Sequence, residues 1–271
     1  MTAIDKQSYT IDVKCIIDEL KEHLDEKIDV ITLTANGEPT LYPHLEKLID
    51  EIDKIKKSTQ TLILTNSATL VDTRVFNALL KLDQVKLSLD AVSSDIFKKI
   101  DRPHVNIKID DIIQKVQEFS KLYKGKLFIE ILFVHGLNDT KEEVRKLNDV
   151  LLKLNTTRID LGTIDRPPAY PVMGISYKEL HEISLMFDNS LPIHIASRVH
   201  AEPNNSYYSD DEILNTLDKR PLTQDDVNLL FDEDTKMRLQ TLINKKKVTK
   251  KVVGNLEFLI PHVNKKRKLK K

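Results

Sequence analysis

From residue 11 to residue 197 the chain switches regularly between a helical and a strand period, and few architectures satisfy that pattern. Apolar Val13, Ile16, Ile17, Leu20 and Leu24 recur at helical spacing over residues 11 to 25, and "IDVITLT" (28 to 34) follows as a strand. Residues 41 to 57 repeat a helical stripe with Leu41, Leu45, Leu48, Ile49, Ile52 and Ile55, ahead of the β-rich "TLILT" (61 to 65). A helix at 72 to 82 leads to "VKLSL" (85 to 89), and a helical stretch reaching residue 123 leads to "LFIEILFV" (127 to 134). Helix 140 to 154 precedes "RIDLGT" (158 to 163), and helix 176 to 187 precedes "IHIAS" (193 to 197). Six strands separated by helices predict an α/β fold with a parallel sheet, because parallel neighbours need a crossover and a helix supplies it.

Around residue 203 the pattern ends. "EPNNSYYSDD" reads as a polar linker, and beyond it Ser209 caps a helix at 210 to 219, Thr223 opens a second, and "DEDTKMRLQTLIN" forms a third with acids at its start. "KVTKKVV" and "LEFLI" then pair as a hairpin turning at Gly254-Asn255. Three short helices and a hairpin describe a winged-helix unit. The expected organisation is a barrel domain at 1–203, a winged-helix domain at 204–262, and a basic tail at 263–271 too poor in apolar residues to fold. Net charge is zero overall, yet residues 245 to 271 carry eleven Lys and Arg against one acid, Glu257. No apolar run approaches the ~18 residues of a membrane span, and "MTAIDKQSYT" has no signal-peptide core, so the expected location is cytoplasmic.

Ligands in parallel α/β folds bind at the carboxyl ends of the strands. Those ends carry Asn36-Gly37-Glu38-Pro39, Thr65-Asn66-Ser67, Ser88 with Asp90, His135-Gly136-Leu137-Asn138-Asp139, and Thr163-Ile164-Asp165-Arg166-Pro167-Pro168. Each alone is accounted for by turns and helix caps, with Asn66 and Asp90 as caps. Five in succession place carboxylates, amides and an arginine around one rim. Glu38 lies between a flexible Gly and a φ-fixed Pro, so its backbone carbonyls can face an ammonium while its carboxylate adds attraction. Arg166 offers a planar donor fork for a carboxylate or phosphate.

In that order, "ITLTANGEPTLYPHLEKLIDEI", "LILTNSATL", "VKLSLDAVSSDIFKKIDRPH", "FIEILFVHGLND" and "DRPP" resemble the strand-end motifs of radical S-adenosylmethionine enzymes, over nearly the whole chain. The likeness is to iron–sulfur oxidoreductases with a C-terminal winged helix. It implies a partial (β/α)6 TIM-like barrel binding S-adenosylmethionine and a [4Fe-4S] cluster. It further implies that Gly37, Glu38 and Pro39 hold the cofactor's amino group, that Asn66, Ser88 and Asp90 contact its ribose, and that Asn138 and Arg166 flank adenine or substrate.

One part of the family pattern is missing. Such clusters need thiolate ligands, supplied in the family by CxxxCxxC, and this sequence has a single cysteine. Cys15 falls beside the apolar stripe of the first helix and is expected to be an ordinary part-buried thiol. The histidines, His44, His104, His135, His181, His194 and His200 among them, show no metal-ligand spacing. In the family the cysteine loop follows a first strand ahead of the helix matching residues 11 to 25, so an N-terminally truncated chain would lose strand and loop together. The resemblance therefore implies a radical enzyme of unknown substrate in a truncated or cluster-less form, inactive in radical chemistry as it stands. The alternative is a non-catalytic nucleic-acid-binding protein acting through the winged helix, Lys245, Lys246, Lys247, Lys250, Lys251 and the basic tail.

Overall fold

The computed structural model describes residues 11–24, 28–164, 170–195, 207–219, 221–253 and 256–262. The chain divides into two compact units, residues 1–162 with 178–196, and residues 163–177 with 197–271. The first unit begins with α1 (Val13–His23), β1 (Val30–Leu33), a 3-10 turn (Pro39–Leu41), α2 (Leu45–Ile55), β2 (Gln60–Thr65) and α3 (Thr73–Leu79). It continues with β3 (Gln84–Ser88), α4 (Ser94–Ile100), α5 (Ile109–Leu122), β4 (Lys126–Phe133), α6 (Lys141–Leu151), β5 (Arg158–Thr163), α7 (Tyr177–Ser184) and β6 (Ile193–Ile195). The six strands form one sheet in the order β1-β2-β3-β4-β5-β6. The register sets Leu33 beside Ile63, Thr65 beside Leu87 and Ser88 beside Glu130, all in parallel pairs. Among the described residues β1 and β6 are therefore the outer strands of the sheet.

Local chemistry explains where the helices start. Asp12, Asp72 and Thr140 each cap a helix through the side chain, accepting from the backbone N–H of Lys14, Arg74 and Glu143. The helix expected from residue 41 begins at Leu45: Pro39 opens a separate 3-10 turn, and Leu41 is 60% exposed. The helical stretch expected to run to residue 123 is two helices. Pro103 disfavours helical backbone at Arg102, which turns left-handed at φ 47°, and α4 ends just before it.

The sheet's two faces differ. Ile63, Val85, Leu87, Ile129, Ile131 and Phe133 are fully buried on the helix-covered face. The alternate positions are half-buried and partly charged: Lys86 bonds Glu130 (3.2 Å) and Asp160 (2.9 Å), and Arg158 (2.7 Å) and His194 (3.1 Å) join the same aspartate. Burial disfavours the charge on Asp160, but the hydrogen bonds from Arg158 and Lys86 outweigh it and hold the carboxyl below its usual range.

The second unit contains α8 (Asp210–Lys219), β7 (Leu222–Thr223), α9 (Gln224–Leu230), α10 (Glu233–Asn244), β8 (Val248–Val253) and β9 (Leu256–Pro261). Its antiparallel sheet has the order β7-β9-β8. The expected helices and hairpin are present, together with the two-residue strand β7, too short to show a period. Thr223 caps α9 reciprocally with Asp226, and Ser209 and Glu212 bond each other's backbone N–H ahead of α8. Ile213, Leu217, Leu222, Phe231, Leu242 and Val248 form the core. The expected linker at 203, the Gly254-Asn255 turn and the tail at 263–271 lie outside the described residues.

Candidate cofactor-binding site

The carboxyl ends of β1, β2 and β3 lie side by side through the parallel register, which brings the loops after them together. Glu38 joins the first two. Its Oε1 accepts from the backbone N–H (3.1 Å) and hydroxyl (2.6 Å) of Thr40, and its Oε2 accepts from Asn66 N–H (2.8 Å). The Thr40 hydroxyl also bonds that of Thr69. The carboxylate read as an attraction for an ammonium is thus spent first on fixing the Gly37-Glu38-Pro39 loop against β2. Its charge remains, but its direct hydrogen bonds go to the protein. Gly37 is open: a Cβ there would meet no atom within 4 Å.

The second and third ends are tied in the same way. Ser67, buried and left-handed at φ 65°, donates its hydroxyl to the Ser88 carbonyl (2.7 Å). Exposed Asn66 accepts from Ala68 N–H (3.1 Å), so it caps a local turn as its residue type allows. Asp90 does not cap a helix: the cap of α4 is Ser93, and Asp90 Oδ1 accepts from Leu132 N–H across to β4 (2.7 Å). Asn66, Ser88 and Asp90 line one small cavity with Asp101, Phe97 and Ile112. At about 10 Å³ it has room for one water and none for a nucleoside, so any ligand must lie on the open rim above it. Although Asp90 is only half-buried as a residue, its carboxyl lies beneath the surface, and that burial pushes it up to about 8. The nearby Asp101 carboxylate adds to the shift, and the Leu132 N–H works against it. At neutral pH Asp90 is then mostly a neutral acid able to donate a hydrogen bond.

Asn138 is turned into the protein. It has no exposed surface, and its side chain is committed: Oδ1 accepts from Val134 N–H (2.7 Å), and Nδ2 donates to the carbonyls of Asp90 and Leu132 (2.8 Å each). It supports Asp90 from beneath, with its side chain bonded within the protein. In the same loop Gly136 takes φ 71° and donates its N–H to Asp139 (3.0 Å). Arg166 lies outside the described residues. Glu143, which the strand-end reading passed over, is 1% exposed and accepts from the backbone N–H of Val92 (2.6 Å) and Ser93 (2.8 Å). It fixes the segment after β3 from α6, and no spacing signal marks it among the charges of that helix.

A cluster of irons does not fit the described residues. No group of three His, Cys, Asp or Glu is placed to hold a metal among them, and Cys15 is alone and exposed. The exposure corrects the expected part-burial: at about 100° per residue, Cys15 is turned roughly 200° from both Val13 and Ile17, the buried side of α1.

Residues 3–148, which hold every rim residue just described, match the radical SAM superfamily model. A UPF0026 protein of Helicobacter pylori strain J99 is 38% identical over 94% of this chain and 83% of its own length. The chain belongs to the radical SAM superfamily. Its fold agrees: the model has a TM-score of 0.53 with HydG, a maturase of the [FeFe]-hydrogenase, at 12% identity over 72% of this chain and 46% of that one. A radical SAM methyltransferase from Sphaerobacter thermophilus gives 0.51 at 15% identity, over 68% and 55%. The six-stranded parallel sheet is thus similar to radical SAM TIM-like barrels. In related radical SAM enzymes membership of the superfamily implies S-adenosylmethionine and a [4Fe-4S] cluster. Among the described residues no helix is long and apolar enough to cross a membrane.

Proposed function

We propose that this chain is the adenosylmethionine-holding part of a radical SAM-type iron–sulfur enzyme, and that it is a cluster-less form. The observation that carries the reading is the open, exposed backbone at Gly37, beside a rim that Glu38, Ser67 and Asp90 tie across β1 to β4. Gly37 would present its backbone carbonyl to the cofactor's ammonium, with Pro39 fixing the loop through its own carbonyl's bond from Tyr42 N–H (3.0 Å), while Asn66, Ser88 and the neutral Asp90 would face its ribose hydroxyls. Arg166 remains the candidate for the adenine or substrate side. The cluster supplies an electron for reductive cleavage when present in such enzymes, but one cysteine cannot hold it. The order helix–strand–helix–helix–strand–strand in the second unit supports reading it as a winged helix.

The test is anaerobic reconstitution with iron and sulfide, read by iron content and electron paramagnetic resonance, alongside adenosylmethionine binding. We expect binding of the cofactor without a stoichiometric cluster. Assembly of a [4Fe-4S] cluster on this chain alone would overturn the cluster-less reading, and failure to bind the cofactor would overturn the assignment of the rim.

A further inference from the structure

We propose that the carboxyl-terminal half of α10, the lysine turn after it and β8 form a docking surface for B-form duplex DNA. Lys245, Lys246 and Lys247 connect α10 to β8, and all three are exposed, as are Lys250 and Lys251 on β8. Lys250 is paired with Glu257 (2.7 Å), whereas Lys245, Lys246, Lys247 and Lys251 make no ion pair among the described residues. The backbone adds a second observation. α10 ends with Lys246 in the left-handed conformation, φ 56°, its N–H bonded to the Ile243 carbonyl and that of Lys247 to Leu242. Glycine normally fills that position because a side chain is strained there. Here a lysine is kept at a strained turn, between two more lysines and next to a basic strand.

Charge and shape then choose the partner. The acids of α10, Glu233 and Asp234, lie at its start, about 16 Å from Lys245 at ~1.5 Å per residue. That is about twice the screening length at physiological salt; Asp210, which with Asp234 and Lys245 lines one surface pocket, is paired with Arg238. The exposed side of the helix between them carries Gln240, Thr241 and Asn244, residue types that hydrogen-bond base edges; Gln240 and Asn244 bond only each other (3.2 Å). Arg238 is already committed to Asp210 (3.6 Å) and the Tyr207 ring. A helix about 10–12 Å across enters the B-DNA major groove but not the deep, narrow groove of A-form RNA. The lysine turn and β8 would then lie on the flanking phosphates.

The test uses the full chain and a labelled duplex DNA, with the same duplex as RNA and heparin as comparison polyanions, each across a salt series. Lys246→Gly separates the charge from the fold, since glycine relieves the strained turn while removing a phosphate contact. We expect Lys246→Gly to melt no lower than the parent, to bind DNA about three- to tenfold more weakly at low salt, and to reduce the salt slope by about one. The variant Lys245→Gln/Lys246→Gly/Lys247→Gln should lose about three units of slope. Unchanged DNA affinity in both variants would overturn the proposal, placing any binding on the tail. Tighter binding of duplex RNA or heparin than of DNA would overturn the choice of partner.

Discussion

Replacing Asn138 by Ala separates a supporting residue from a ligand contact. The amide makes three hydrogen bonds of 2.7–2.8 Å, to Val134 N–H and to the carbonyls of Asp90 and Leu132, and no part of it reaches solvent. Leaving one buried polar group unpaired costs about 1–3 kcal/mol, and Asn138→Ala orphans three. A water entering the vacated space would recover part of that, so the expected loss is about 3–5 kcal/mol, a large share of the ~5–15 kcal/mol typical of a folded protein. Asn138→Asp keeps the acceptor for Val134 but turns an oxygen toward two carbonyls, so it should be at least as damaging at neutral pH and recover in acid, where a protonated carboxyl donates again. Because the chain has no tryptophan, urea unfolding is best followed by far-ultraviolet circular dichroism. A loss below about 1 kcal/mol would refute the reasoning. So would intact stability with lost adenosylmethionine binding, which would return Asn138 to the ligand.

Two further outcomes follow from the same geometry. Asp90 ionises near 8 when folded and near its ordinary value when unfolded, so its contribution to stability is complete below pH ~4 and is lost as pH rises through about 8. Asp90→Asn should flatten that decline, by at most about 1.4 kcal/mol per pH unit, with little effect at pH 4; equal slopes in parent and variant would contradict the burial of this carboxyl. At Gly125 a Cβ would collide with the Tyr123 hydroxyl and the Asp83 carbonyl, and the buried Tyr123 is held by its bond to Leu82 (2.8 Å). Gly125→Ala should therefore cost about 1–3 kcal/mol in a thermal or denaturant melt, and a neutral result would show that Tyr123 can move aside.

The sheet was legible because its strands are rich in β-branched and apolar residues and the periods between them switch cleanly. Even the mixed strand pattern had a cause: parallel strands usually read as continuous apolar runs, but "VKLSL" and "LFIEILFV" alternate because one face carries Lys86 and Glu130. Boundaries were harder, since Pro39, Pro43 and Pro103 break helical stripes that apolar spacing alone extends. The rim was legible as a set of loops but not as a set of roles. Asn138 and Asp90 look alike in sequence, as polar residues at strand ends, and only the structure shows that Asn138 has no exposed surface while Asp90 is half-buried beside the cavity. Glu143 and Ser67 were hidden for the opposite reason: a glutamate in a charged helix and a serine in a turn carry no signal of the backbone groups they hold.

The claim that matters most is that the rim around Gly37 holds adenosylmethionine, and calorimetric titration of the parent chain and of Gly37→Val tests it directly. Nothing lies within 4 Å of the added Cβ and the backbone there is not left-handed, so the variant should fold as the parent does while covering the open backbone where the cofactor would approach. The account predicts saturable binding at one site per chain for the parent and at least a tenfold loss, about 1.4 kcal/mol, in Gly37→Val with an unchanged dichroism spectrum. Equal affinity in the two chains, or no binding to the parent, would contradict it.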